Sequence, residues 1–289
     1  MKFPATVGEL GPGEWRAGGT DLMERRRSGV SRGDIEDLRD VGGLDTIEEI
    51  TGGVVIGARV TIARLAADPR IPVGLAQAAR TLATPQIRAV ATVGGNLAQH
   101  VHCWYYRDEG QHCLRKGGPT CLAREGDHLY HGCFDVPGGC AAPHPSTLAC
   151  ALLAYDATAH VEGQGVVPVL DAEGFVSALH VPVVPERAAY FRTISRARAE
   201  WPLVECMVRL RLDGAVITEA RVVVGGVANL PLRREAVEAR LVGKQATAEV
   251  FLEASRAASE GANPMPMTAY KVALLGPTVL ETLERAVRA

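Results

Sequence analysis

Five of the seven cysteines, Cys103, Cys113, Cys121, Cys133 and Cys140, fall within one 38-residue stretch, and six of the eight histidines lie between His100 and His144. Soft thiolates and borderline imidazoles gathered in a glycine-rich stretch predict a metal site before any other chemistry. The spacing Cys103-x9-Cys113-x7-Cys121-x18-Cys140 is long for a zinc ribbon, which favours closely paired cysteines, and is not a ferredoxin run. On chemistry alone, four thiolates in one loop fit zinc and an iron–sulfur cluster equally.

A second chemistry is carried by two glycine pairs, in Ala17-Gly18-Gly19-Thr20-Asp21-Leu22 and Ala91-Thr92-Val93-Gly94-Gly95-Asn96-Leu97. Paired glycines let the backbone approach a ligand closely, and successive N–H groups form a concavity suited to a pyrophosphate. Thr20, Thr92 and Asn96 add side-chain donors and acceptors. Neither pair is the Gly-x-Gly-x-x-Gly of a Rossmann unit, so a nicotinamide site is not indicated. Either pair alone reads as a turn.

The elements that would position these residues can be read from periodicity. Short strands are expected at Glu14–Ala17, Asp34–Leu38, Val54–Ala58 and Ala157–Val161. Helices are expected from Leu22 with Thr20 or Asp21 as cap, at Thr61–Ala67, at Val73–Leu82 ended by Pro85, and at Leu148–Leu153. An irregular insertion at about 99–145 is too long for a plain loop and needs a bound group to order it. Near residue 185 the texture changes to an antiparallel meander, Tyr190–Ile194, Val204–Leu212 and Val216–Gly226. The final stretch is helical, at Arg234–Leu241, Ala246–Ala258 and Ala269–Val287.

With 47% apolar and 22% charged residues and a formal net charge of −2, the 289-residue chain has an ordinary globular composition. Nothing in its charge calls for nucleic acid or an anionic membrane as partner. No apolar run reaches the length of a membrane span, and Met1-Lys2-Phe3-Pro4 does not open a signal peptide.

The two glycine motifs, with Gln86-Ile87-Arg88 leading into the second, resemble the FAD-binding subunits of the xanthine dehydrogenase (molybdenum hydroxylase) family. The resemblance continues through His144-Pro145-Ser146, Arg196-Ala197 and Gly225-Gly226-Val227-Ala228 with Pro231. Within that family the insertion is similar to the one that binds a [4Fe–4S] cluster in flavin subunits of hydroxybenzoyl-CoA reductases and, more closely, of periplasmic aldehyde oxidoreductases. The shared pattern is Cys103-Trp104-Tyr105-Tyr106-Arg107, Cys113, Gly117-Gly118 with Cys121, Tyr130-His131, and Cys140 before His144-Pro145-Ser146.

The resemblance implies an α+β fold. A two-lobed FAD-binding domain of the vanillyl-alcohol-oxidase/xanthine dehydrogenase type would span residues 1–185, with lobes at about 1–52 and 53–185. A C-terminal antiparallel-sheet-and-helices flavoprotein domain would span 186–289. It implies FAD held by Ala17, Gly18, Gly19, Thr20, Asp21 and Leu22, by Thr92, Val93, Gly94, Gly95 and Asn96, and by Ser146 and Thr147. Arg192 would lie near the flavin edge, although Arg192, Arg196 and Arg198 also read as solvated charges. Cys103, Cys113, Cys121 and Cys140 would hold the cluster, leaving Cys133 as a small buried residue, with Cys150 and Cys206 in the core. Trp104, Tyr105 and Tyr106 would shield the cluster or simply anchor the loop.

The implied partners are a molybdenum-cofactor large subunit, a small [2Fe–2S] subunit and an external electron acceptor. The complex would oxidise an aldehyde or aromatic heterocycle, with no substrate bond made or broken by this chain. It would work in the cytoplasm, or in the periplasm by export with a signal-bearing partner. Two positions depart from the family pattern: Ala89 where asparagine is usual, and Thr147 where aspartate follows His-Pro-Ser. They keep open a zinc- or cluster-stabilised structural subunit that has lost flavin. A stand-alone flavin oxidoreductase would need a longer chain with its own substrate-covering domain.

Overall fold

The computed structural model describes residues 1–135 and 138–288; residues 136 and 137 of the cysteine-rich insertion lie outside them. Strands β1 (Glu14–Arg16) and β2 (Ile35–Asp37) pair in parallel around helix α1 (Leu22–Arg27). β3 (Ile47–Ile50) and β4 (Gly53–Gly57) form an antiparallel hairpin. Helices α2 (Ile62–Ala67), α3 (Val73–Thr81), α4 (Pro85–Val90) and α5 (Val93–Leu97) follow. Pro85 does not merely end a helix. It sits at the first position of α4, where its missing N–H costs nothing, and the Thr84 hydroxyl caps that turn.

The insertion is irregular apart from α6 (Trp104–Arg107) and two 3-10 turns. α7 (Thr147–Ala154) then leads to β5 (Thr158–Val161), β6 (Gly165–Pro168) and β7 (Val176–Pro182). Together these strands make a five-stranded antiparallel sheet in the order β3-β4-β7-β5-β6.

A second antiparallel sheet is ordered β11-β10-β9-β8, from β8 (Arg187–Thr193), β9 (Val204–Asp213), β10 (Val216–Gly225) and β11 (Leu232–Arg233). Helices α8 (Glu235–Leu241), α9 (Ala248–Ser255) and α10 (Ala269–Arg288) complete the chain. Side chains of β9 alternate between two cores, as the period of two requires. Val204, Cys206, Val208 and Leu210 pack with Phe251, Leu275, Val279 and Leu283 of the C-terminal helices. Met207 packs instead with Leu75, Leu148 and Tyr155 around α3 and α7. Glu205 and Arg209 share the Met207 face, so a carboxylate and a guanidinium are carried into the joint between the two halves of the chain. Arg209 is satisfied there by Glu186 at 2.7 Å and Ala154 O at 2.5 Å. Among the described residues no helix is long and apolar enough to cross a membrane.

Candidate functional site

The first glycine pair follows β1 and the second opens α5. Thr92 caps α5 by accepting the Gly95 N–H at 3.2 Å. Val93 N–H to Val60 O at 2.9 Å and Gly94 N–H to Ala58 O at 2.8 Å seat the turn at the end of β4. The two turns touch. A Cβ on Gly18 would lie 1.9 Å from the Val90 carbonyl oxygen, and one on Gly94 would lie 2.8 Å from Ala58 Cβ. Gly19 takes φ +69°, a left-handed conformation that favours glycine. Gly18→Ala is therefore expected to cost about 1–3 kcal/mol by overpacking and to lower flavin retention. The flavin-to-protein ratio after gel filtration checks it, and full flavin content at unchanged stability would contradict it.

Six of the expected cofactor residues, Thr20, Asp21, Gly95, Asn96, Thr147 and Arg192, line one cavity of about 200 Å³. Ala17, Thr92 and Gly94 line an adjoining recess of about 80 Å³ with Phe175, while Gly18 and Gly19 border an open groove beside Arg16 and Arg39. Leu22 and Val93 are buried, 5% and 1% exposed, and line none of these hollows. Ser146 does not line the cavity. Its hydroxyl donates to Asn96 Oδ1 at 2.7 Å and accepts the Ala149 N–H at 3.0 Å, so it orients Asn96 while capping α7. Ala89 is exposed on α4 and does not itself line the cavity, although its neighbour Arg88 does.

Asp21 was expected to cap α1 or meet the flavin directly. The structure corrects the first role: its side chain makes no cap hydrogen bond. Its Oδ1 accepts from Arg107 of the insertion at 2.5 Å and its Oδ2 from Arg25 at 2.9 Å. Burial pushes the Asp21 carboxyl up, and the Arg107 and Arg25 guanidiniums more than offset it, so it ends below the usual range.

Thr147 stands where the resemblance expects a carboxylate, and its hydroxyl donates to one, Glu205 Oε2 of β9, at 2.7 Å. Tyr190 donates to the same oxygen at 2.6 Å. Burial still raises the Glu205 carboxyl above its ordinary 4.5, against those two hydrogen bonds. An acid bound more tightly to its proton when folded contributes stability that is complete below the unfolded pKa and is lost as pH rises through the folded one. Glu205→Gln should flatten the fall in unfolding free energy as pH rises above the ordinary glutamate value of 4.5. Denaturant unfolding across that range tests this, and parallel slopes for both proteins would clear Glu205 of the effect.

Sequence reasoning missed Arg88, Gln99, His102 and Trp201, which also line the 200 Å³ cavity. Arg88 sat inside the quoted motif; Trp201 carried no local signal. His102 and Trp201 stack with ring centroids 4.2 Å apart and also line a neighbouring chamber of about 340 Å³ containing Glu205 and Lys271. Burial, then Arg107, lowers His102 to about 4. It is thus neutral near neutral pH, and its 3.8 Å approach to Asp21 is not an ion pair.

Cys103, Cys113, Cys121 and Cys140 line one small hollow with Tyr105, Tyr106 and Leu122. Cys133 is fully buried elsewhere, in the core of the C-terminal sheet, and Cys150 and Cys206 are likewise buried. Donors point at the sulfurs in the hollow: Arg115 Nε to Cys140 Sγ at 3.2 Å and Ala141 N–H to Cys121 Sγ at 3.5 Å. His131 Nε2 lies 3.3 Å from Cys103 Sγ. The Cys121 thiol donating to Cys140, aided by Ala142 N–H and Arg115, lowers Cys140 and correspondingly raises Cys121. Burial raises Cys103. Among the described residues no three His, Cys, Asp or Glu side chains converge tightly enough for a single metal ion.

The insertion is pinned to the rest of the chain. Lys271, 1% exposed, donates to Tyr130 O at 3.2 Å and Gly226 O at 2.6 Å. Cys133 N–H donates to Val227 O at 2.7 Å.

The two glycine turns and the cavity's hydroxyls and guanidiniums fit a flavin dinucleotide: close backbone approach for a pyrophosphate, donors for ring carbonyls. Comparison with known proteins agrees. Residues 15–187 match the family described as FAD binding domain in molybdopterin dehydrogenase, and residues 189–286 match the CO dehydrogenase flavoprotein C-terminal domain. The chain is 31% identical to the aldehyde oxidoreductase FAD-binding subunit PaoB of Escherichia coli, over 93% of this chain and 90% of that one. It is 26% identical to the carbon monoxide dehydrogenase medium chain of Hydrogenophaga pseudoflava, over 98% and 92%. Solved structures share the fold. Carbon monoxide dehydrogenase from Hydrogenophaga pseudoflava superposes with TM-score 0.76 at 23% identity, over 99% of this chain and 96% of that one. Quinoline 2-oxidoreductase from Pseudomonas putida 86 gives 0.76 at 18%, with the same coverage. With both segments and nearly the whole length matched, this chain belongs to the family of FAD-binding subunits of molybdenum hydroxylase-type oxidoreductases.

Proposed function

We propose that this chain is the FAD and iron–sulfur electron-transfer subunit of a heteromeric molybdenum hydroxylase. It would pass electrons from a partner's oxidation of an aldehyde or aromatic heterocycle to an external acceptor. The observation that carries the reading is the adjacency of two sites. The cavity bounded by both glycine turns shares His102 with the segment that enters the cysteine hollow at Cys103. The names of the relatives, an FAD-binding subunit and a medium chain, support a complex with a larger and a smaller subunit, which the family resemblance makes the molybdenum-cofactor and [2Fe–2S] subunits.

FAD when bound supplies reversible two-electron chemistry that can be split into single electrons. The protein's part is placement. Gly18 and Gly94 let the two turns pack tightly against Val90 and Ala58, which would seat their backbone for the pyrophosphate, and Asn96, held by Ser146, offers an amide to the cavity. Arg88 and Arg192 add positive charge along the cavity wall. The likeness of the cysteine pattern to cluster-binding insertions favours a [4Fe–4S] cluster over zinc, and Cys103, Cys113, Cys121 and Cys140, which share one hollow, would hold it. Arg115 and the Ala141 and Ala142 N–H groups would stabilise their thiolates.

An absorption spectrum of the anaerobically purified protein, with flavin, iron and zinc assayed on the same sample, tests the reading. Flavin bands with about four irons per chain and broad absorbance that bleaches on reduction are expected. A colourless protein with about one zinc and no flavin would overturn it and leave a structural subunit.

A further inference from the structure

His131 is 2% exposed, with Nε2 directed at Cys103 Sγ at 3.3 Å and Nδ1 buried without a partner. The ring is fixed. Trp104 meets it edge-on at 5.3 Å and Tyr105 lies at 6.4 Å. The His131 backbone N–H donates to His128 O at 2.9 Å, and the Gly132 N–H donates to Ala141 O at 2.8 Å, beside Cys140. On the other side Lys271 holds the Tyr130 carbonyl.

With one nitrogen orphaned and the other on sulfur, the tautomer follows. A proton on Nδ1 would leave an N–H unpaired in a dry site and set a nitrogen lone pair against a sulfur lone pair. A proton on Nε2 gives Cys103 a donor and orphans only an acceptor, which is the cheaper loss. We propose that His131 is a positioning residue that raises the reduction potential of the cluster through an N–H···S hydrogen bond to Cys103. The inference rests on the cluster reading above. Reduction adds negative charge that the ligand sulfurs share, so a fixed donor stabilises the reduced state more than the oxidised one.

The experiment is an EPR-monitored redox titration of the anaerobically purified complex. His131→Phe keeps the ring and removes the donor. At fixed potential its reduced-to-oxidised ratio should fall about tenfold, a shift of ~59 mV to more negative values for one electron. His131→Gln retains an N–H and should fall between Phe and wild type. A His131→Phe protein with full iron content and an unmoved midpoint overturns the proposal, as does a Gln variant that shifts as far as Phe. Should His131→Phe fail to load iron, hyperfine spectroscopy of the reduced wild-type cluster decides with nitrogen-15-labelled histidine. A nitrogen coupling that disappears in His131→Gln supports the proposal, and no coupling overturns it. A wild type without iron would instead sink the functional reading itself, so the two failures are distinguishable.

Discussion

Cys140→Ala should abolish the iron content of the chain, whereas Cys133→Ala should leave it at about four irons. The two thiols are seven residues apart and undergo the same substitution, so the contrast isolates position. Cys140 lines the hollow with Cys103, Cys113 and Cys121, receives Arg115 Nε at 3.2 Å, and is held toward its thiolate by the Cys121 S–H. Removing it deletes a sulfur that the Cys121 thiol and Arg115 favour as thiolate. The remaining three would have to hold the proposed cluster without a fourth ligand. Cys133 instead packs against Val204, Val227 and Ala258, with no exposure. Truncating it loses one buried sulfur, for about 1 kcal/mol, and its backbone hydrogen bonds to Val227 and Asn263 survive. Iron analysis and anaerobic absorption on both variants measure the difference. Iron retained in Cys140→Ala but lost in Cys133→Ala would reassign the fourth ligand.

What could be read from the chain was whatever announces itself locally. The run from Val204 to Leu210 is buried on both faces, and its alternating Val204, Cys206, Val208 and Leu210 are read readily as a strand. The cysteine spacing likewise marks one segment. The elements missed are those whose residues contradict their state. β3 is Ile47-Glu48-Glu49-Ile50, with acidic residues that strands normally avoid; it survives because its glutamates face solvent beside β4. β7 interleaves Ser177 and His180 with apolar positions and is fixed by pairing with both β4 and β5, which no local pattern records. The site itself is assembled from contacts remote in sequence: Thr147 with Glu205, 58 residues on, and Asp21 with Arg107, 86 residues on. A single sequence gives no means of pairing them. For that reason Asp21 read as a cap or a flavin ligand, and Thr147 as a flavin-binding position that had lost a carboxylate.

Arg107→Met should destabilise the protein by about 3 kcal/mol, the lower end of the range for breaking a buried ion pair. It should also deplete flavin and iron together. Arg107 is 10% exposed and forks between Asp21 at 2.5 Å and Glu24 at 2.6 Å, while also donating to Val101 O and His100 O at 2.9 and 2.8 Å. Its backbone N–H donates to Cys103 O at 2.9 Å, through the single turn of α6. One residue therefore links the two sites, its main chain holding Cys103 and its side chain the first glycine loop. The lower end of the range applies because Asp21 keeps Arg25 at 2.9 Å and Glu24 is partly exposed, so neither carboxylate is stranded. Arg107→Lys should restore charge but not the fork, and so recover only part of the loss. Unfolding free energy, flavin and iron measured on the same preparations decide the matter. Iron lost with flavin retained would mean that Arg107 serves the insertion alone. Parallel loss would mean that loop and insertion open as one cooperative unit. In that case the residues that hold the flavin also depend on a segment that contributes only Gln99 and His102 to the cavity walls.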